Sequence, residues 1–172
     1  MIEIRHLDGL EARQRIPELA GILHDCVTNG ASVSFMNPFD LAEAVEFYEQ
    51  IASECESRDL LLLAAIIDGK AVGTVQLVSS QKPNQRHRAD LVKMLVHSDY
   101  RKRGIGQKLL DLVDFEAKQR GITLITLDTA SGSDAERLYL RAGYQKVGTI
   151  PDYALWPDGG YCDTTYFYKR IE

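Results

Sequence analysis

The stretch from Asp90 to Gly121 constrains this chain more than any other. It contains an apolar run, Leu91-Val92-Lys93-Met94-Leu95-Val96-His97, of strand length and composition. Ser98-Asp99-Tyr100 makes a polar turn, and Arg101-Lys102-Arg103-Gly104-Ile105-Gly106 follows. From there Ile105, Leu109, Leu112, Val113 and Ala117 keep helical spacing until Gly121. Strand, basic glycine turn and helix together aim backbone N–H groups at an anion. First-turn N–H groups lack partners within the helix, and the helix dipole favours negative charge there. Gly104 and Gly106 carry no Cβ, so the main chain can come close to a diphosphate. Arg101, Lys102 and Arg103 add local positive charge to a chain whose formal net charge is −5. The same residues also read as a solvated basic turn ahead of a helix.

Composition narrows the setting. A length of 172 residues suits one domain with a substantial core, and 45% hydrophobic with 26% charged residues suits a soluble globular protein. The mild acidity argues against nucleic-acid binding, which calls for a broad basic surface. Cys26, Cys55 and Cys162 are odd in number and widely spaced. They suggest reduced thiols in a cytoplasmic protein, with neither a disulfide framework nor a metal site. His6, His24, His87 and His97 lack metal-ligand spacing. No apolar run approaches the roughly 18–20 residues of a membrane span, and the N-terminus alternates where a signal peptide would carry an apolar core. A soluble, membrane-free protein is expected.

Taken in order, alternation at Ile2, Ile4 and His6 predicts a first strand. A helical pattern covers Leu10 to Thr28, its firm part starting near Pro17. After Asn29-Gly30 comes an irregular loop, Ala31 to Pro38, and Asp40 is placed to cap a helix from Leu41 to Ser57. Leu60–Ile67 and Ala71–Val78 predict a hairpin turned at Asp68-Gly69. After the Asp90–Gly121 unit, Thr123–Thr129 predicts a fifth strand, parallel to the fourth because a helix joins them. Ser133 or Asp134 caps a short helix ending at Arg141-Ala142-Gly143. Tyr144–Ile150 and Cys162–Ile171 are the last strands, separated by a tip from Pro151 to Gly160. The expected fold is α/β, a mixed sheet of about seven strands with helices on both faces.

This order of elements, with Arg101-Lys102-Arg103-Gly104-Ile105-Gly106 after the fourth strand, resembles the GNAT superfamily of N-acetyltransferases. Its hallmark is Arg/Gln-x-x-Gly-x-Gly/Ala. Ala135 to Tyr144 is similar to the family's downstream segment ending in Gly-Phe/Tyr. A closer resemblance, to tabtoxin resistance acetyltransferases, lies in Gly30–Met36, Gln81–Asn84, Leu127–Thr129, Val147–Tyr153 and Pro157–Gly159. The dinucleotide and Walker phosphate loops fit poorly. Leu109 stands where the former has glycine, and Gly-Lys-Ser/Thr is absent.

The resemblance implies a mostly antiparallel sheet with parallel fourth and fifth strands that splay to admit acetyl-CoA. The main chain from Arg101 to Gly106 would hold the diphosphate, and that of Met94, Leu95 and Val96 would pair with the pantetheine as an added strand. Two carboxylates compete as acceptor of the amine's proton. Asp90 stands at the start of the fourth strand, and Asp128 at the C-terminal end of the fifth, where open α/β sheets bind ligands. Asp128 is preferred on the closer resemblance. Tyr139 would protonate the departing thiolate. Ser34, Phe35 and Met36 from the early loop, and Trp156 and Asp158 from the late tip, would wall the acceptor. The activity that the resemblance implies is N-acetylation of a small-molecule amine, such as an antibiotic or toxin of the tabtoxinine-β-lactam type, by a protein that could form a homodimer. Protein N-acetylation and non-catalytic acetyl-CoA sensing are the alternatives.

Overall fold

A computed structural model describes residues 1–57 and 59–172. Its centre is a seven-stranded sheet in the order β1-β2-β3-β4-β5-β7-β6. The strands are β1 (Ile2–Leu7), β2 (Leu60–Ile67), β3 (Lys70–Ser79), β4 (Arg88–Val96), β5 (Leu124–Ala130), β6 (Gln145–Leu155) and β7 (Tyr161–Arg170). The helices are α1 (Gly9–Gln14), α2 (Ile16–Thr28), α3 (Leu41–Glu54), α4 (Ile105–Gln119) and α5 (Asp134–Arg141). All strand pairs are antiparallel except β4 with β5. Among the described residues no helix is long and apolar enough to cross a membrane.

β2 is buried along almost its whole length because both of its faces are covered. Leu60, Leu62, Ala64 and Ile66 pack with α1, α2 and α3. Leu61, Leu63 and Ala65 pack with α4 and α5. Period-two alternation thus feeds two cores from one strand. Asp68 (φ 50°) and Gly69 (φ 81°) turn its hairpin in the left-handed region, as expected. Asp40 and Glu43 form a reciprocal capping box at α3, an arrangement that stabilises a helix start by about 1 kcal/mol.

Three boundaries differ from the sequence reading. The first helical pattern divides at Arg15, with Pro17 in the opening turn of α2, where a missing N–H costs nothing. β4 begins at Arg88, before the apolar run starts, and its early polar residues are the ones that pair with β5. β6 continues through Pro151 to Leu155, residues read from sequence as a tip. As the edge strand of the sheet, β6 tolerates a proline whose nitrogen cannot donate.

Candidate active site

Parallel pairing between β4 and β5 covers only Arg88↔Leu124, Ala89↔Ile125 and Asp90↔Thr126. Beyond these rungs the two strands part, so the β5-facing edge of β4 is unpaired in the middle of the sheet. Met94, Leu95 and Val96 lie on this open stretch. Met94 and Val96 pack toward α4 and α5, and Leu95 packs toward α2 and α3. Their side chains are therefore committed to the two cores while the main-chain edge remains available to an added strand. The Val96 carbonyl already accepts from Arg101 Nε at 3.0 Å.

A bulge in β4 sets this geometry. Gln76 pairs with Val92 and Thr74 with Leu95, so β4 carries one residue more than β3 across the interval. Lys93, at φ 52°, occupies the bulge. The extra residue inverts the alternation: Ala89 and Leu91 face α4 and α5 before the bulge, as Met94 and Val96 do after it. Lys93 is thereby turned onto the α3 side. Its Nζ lies 5.7 Å from the Phe35 ring centroid, 5.8 Å from that of Phe47, and 3.5 Å from Ser34 Oγ.

At the C-terminal end of the splay, Gly104 (φ 77°) precedes α4, whose first-turn N–H groups point out of the helix. The two glycines do different work. Gly104 has open space around it and is required by its left-handed backbone, whereas a Cβ on Gly106 would sit 2.7 Å from Leu138 Cδ2 of α5. Gly106 is thus also a packing position against Leu138 of α5, beside the room for a ligand expected of it. The three cations also differ. Arg101 reaches back to Val96 and to Cys26 Sγ, while Arg103 donates to the Asp99 carbonyl at 2.9 Å and stacks on Tyr100. Both guanidiniums brace the turn, while Lys102 (φ 61°) is exposed and has no side-chain partner among the described residues. Asp25 of α2 fastens the same turn by accepting from the Ser98 N–H and hydroxyl, each at 2.7 Å. Burial alone would raise the Asp25 pKa, but the two Ser98 bonds, His97 and Arg101 outweigh it and lower it.

The two candidate bases differ in their engagement. Asp90 accepts from Arg88 at 2.5 Å and from the Thr126 hydroxyl, closing the last parallel rung with side-chain bonds. Asp128 lies beyond the rungs, opposite Tyr166 of β7, with its side chain reaching solvent. Surrounding atoms still displace enough hydration to raise its pKa; Lys93 opposes the rise and Asp90 adds to it. Tyr166 donates to the Tyr153 hydroxyl at 2.7 Å, and its own pKa is pushed up to about 12 by that bond first, then by burial and by Asp128.

Tyr139 comes from the other side of the sheet. It is the buried residue of α5 and packs on Tyr144 and Phe167. Burial, followed by the charge of Asp128, raises its pKa well above the ordinary phenol value. Ile125 and Leu127 face α4 and α5, so alternation puts Asp128 on the opposite face from Tyr139. The two groups therefore flank the sheet from opposite faces, near enough for the charge of Asp128 to act on Tyr139.

The two segments expected to wall the acceptor meet. Ser32 donates to the Leu155 carbonyl at 2.9 Å, the Asn37 N–H to the Pro157 carbonyl at 2.8 Å, and Asn37 Nδ2 to Asp158 at 2.7 Å. The loop holding Ser34 (φ 77°), Phe35 and Met36 is thus tied to the tip holding Trp156. Sequence reasoning missed Lys93, Phe47 and Tyr166. Lys93 alone left a signal, a lone charge inside an apolar strand run.

This site defines a class of protein that takes an extended, phosphate-bearing cofactor into a split parallel strand pair. The unpaired β4 edge and the free N–H groups of α4 fit coenzyme A in polarity and order. Residues 27–144, more than half of the chain, match the model of the acetyltransferase (GNAT) family, and the chain belongs to that family. Among curated relatives, "Probable N-acetyltransferase camello" of Xenopus tropicalis is 37% identical over 91 residues, 52% of this chain and 41% of the relative. The N-acetylaspartate synthetase of Danio rerio is 26% identical over 117 residues, 67% of this chain and 38% of the relative. The match thus spans about two fifths of the length of each. A Salmonella typhimurium protein solved with its cofactor acetyl-CoA superposes with TM-score 0.79 over 100% of this chain and 95% of its own, at 18% identity, which shows a shared fold.

Proposed function

We propose that this protein transfers the acetyl group of acetyl-CoA to the amine of a small molecule, of the kind represented by tabtoxinine-β-lactam. The observation that carries this reading is the splay of β4 from β5 beyond Asp90, with Asp128 on one face and Tyr139 on the other. Acetyl-CoA supplies an acetyl group activated as a thioester. The Met94–Val96 main chain and the first turn of α4 hold and orient it. Asp128 takes the proton of the acceptor ammonium, a task helped by a carboxylate pKa raised toward neutrality. Tyr139 donates a hydrogen bond or proton toward the departing sulfur; its raised pKa keeps the phenol protonated until charge develops there. Asp90, held by Arg88 and Thr126, maintains the last parallel rung and the negative field beside Asp128.

The junction of the Ser32–Asn37 loop with the β6–β7 tip supports a small acceptor over a protein chain, because it closes the end that an extended peptide would cross. One relative is named for making N-acetylaspartate, an acetylated amino acid. The free, buried thiols of Cys26, Cys55 and Cys162 support a reducing, cytoplasmic setting. We also propose a homodimer formed edge to edge through β6, which exposes Val147, Ile150, Tyr153 and Leu155 beside an unpaired strand edge. Sedimentation equilibrium of Val147→Glu would give a monomer where the unaltered protein gives a dimer.

The decisive assay is thiol release from acetyl-CoA against amino acids, β-lactam amino-acid analogues, aminoglycosides, polyamines and N-terminal peptides. Acceleration by a small amine is expected. Acceleration by peptides alone would favour protein acetylation, and cofactor binding without turnover would favour a sensor.

A further inference from the structure

Lys93 takes and gives no proton in the chemistry assigned to Asp128 and Tyr139, where it acts only by lowering the Asp128 pKa, yet the fold builds a place for it. A β-bulge and a left-handed backbone at a non-glycine residue carry it onto the α3 side. The left-handed conformation costs about 1–2 kcal/mol, so surrounding contacts must enforce it. Two phenyl faces, Phe35 and Phe47, lie within 6 Å of the ammonium, the range in which a ring face stabilises a cation. Burial works against the charge and Asp128 supports it. Among the described residues, however, no carboxylate lies within the 4.0 Å of an ion pair with Lys93. Its only hydrogen bond there is the 3.5 Å contact to Ser34 Oγ, leaving donors to spare. Asp128 is likewise unpaired among the described residues, yet near enough that each charge shifts the other.

We infer that Lys93 and Asp128 form a split ion pair that reads a zwitterion, so that the acceptor is an amino acid whose carboxylate is held by Lys93 and Ser34 while its amine faces Asp128. This inference rests on the acetyltransferase reading above and adds the substrate class and a specificity residue. An ammonium and a carboxylate a few bonds apart complete both half-pairs at once. A neutral or purely cationic amine leaves the Lys93 charge partly dehydrated and unmatched. Phe35 and Phe47 keep the cation fixed between visits by substrate, so little ordering is left to the moment of binding.

The test compares free α-amino acids with their carboxamides and decarboxylated amines as acceptors for the full-length protein. The unaltered protein is expected to favour the acid by about 10-fold to 100-fold in kcat/KM, the range a charge-assisted hydrogen bond supplies. Lys93→Met should remove that preference by raising KM for the acid and not for the amide, both measured at a pH above the acid limb of the rate profile. Lys93→Arg should restore part of it. An unaltered protein that acetylates amides and amines as well as acids would overturn the inference while leaving the acetyltransferase reading intact. So would a Lys93→Met variant that slows both acceptor types alike, the signature of a merely structural lysine. Should Lys93→Met fail to fold, the acid–amide comparison on the unaltered protein still decides. Absence of thiol release with every amine would remove the acetyltransferase reading, and this inference with it.

Discussion

For Asp128 as the proposed base, the requirements of chemistry and of stability oppose each other. Loss of hydration raises its pKa, so the folded state disfavours its charge. A carboxyl whose folded pKa exceeds its unfolded value of about 3.9 helps stability below that value and loses the benefit as pH rises through the folded pKa. At neutral pH the ionised group is therefore a small liability. Asp128→Asn should lower kcat about 100-fold or more while leaving Tm unchanged or raised. A thermal melt beside a thiol-release assay checks both. Lys93 lowers and Asp90 raises the same pKa, and the charge of Asp128 in turn raises those of Tyr139 and Tyr166. Lys93→Met should consequently move the acid limb of the pH–rate profile upward, measured with an acceptor that lacks a carboxylate. Tyr139→Phe should cut kcat about 10-fold to 100-fold with little effect on the KM for acetyl-CoA, and a variant with full kcat would remove the general-acid role.

The turn ahead of α4 is held by elements remote in sequence. Asp25 on α2 bonds Ser98, and Arg101 reaches Val96 and Cys26. Asp25→Asn should destabilise the fold by about 1–3 kcal/mol and raise the KM for acetyl-CoA, because the turn loses its clamp. Since the Asp25 pKa is depressed in the fold, its contribution is fully present above about pH 4. It fades as pH falls through the depressed value, so the melting difference between the two proteins should shrink on acidification. α5 shows the same dependence between elements. Ser133 caps it, Tyr139 is its buried face, and Leu138 lies where a side chain on Gly106 would be. Gly106→Val should therefore disturb Tyr139 as well as the cofactor turn, seen as a fall in kcat together with a rise in cofactor KM.

For the molecule as a whole, the loop and tip proposed to wall the acceptor are joined by hydrogen bonds between chain segments 121 to 123 residues apart. Removing them with Ser32→Ala and Asn37→Ala should raise the KM of the acceptor about 10-fold while leaving that of acetyl-CoA unchanged, as steady-state kinetics would report. Local sequence determined the elements here. Alternation, caps and turn residues identify β2, β3, α3, α4 and α5 nearly residue by residue, because those signals depend on neighbours a few positions away. The basic glycine turn ahead of α4 was legible for the same reason. What only the tertiary structure decided depends on distant partners. A bulge in β4 exists relative to β3, and it alone turns Lys93 from the α4 side to Phe35 and Phe47. The engagement of Asp90 depends on Thr126 of β5, and the freedom of Asp128 on lying beyond the last shared rung. Sequence named both carboxylates as candidates; their different surroundings come from the point at which two strands stop pairing, which no local pattern encodes.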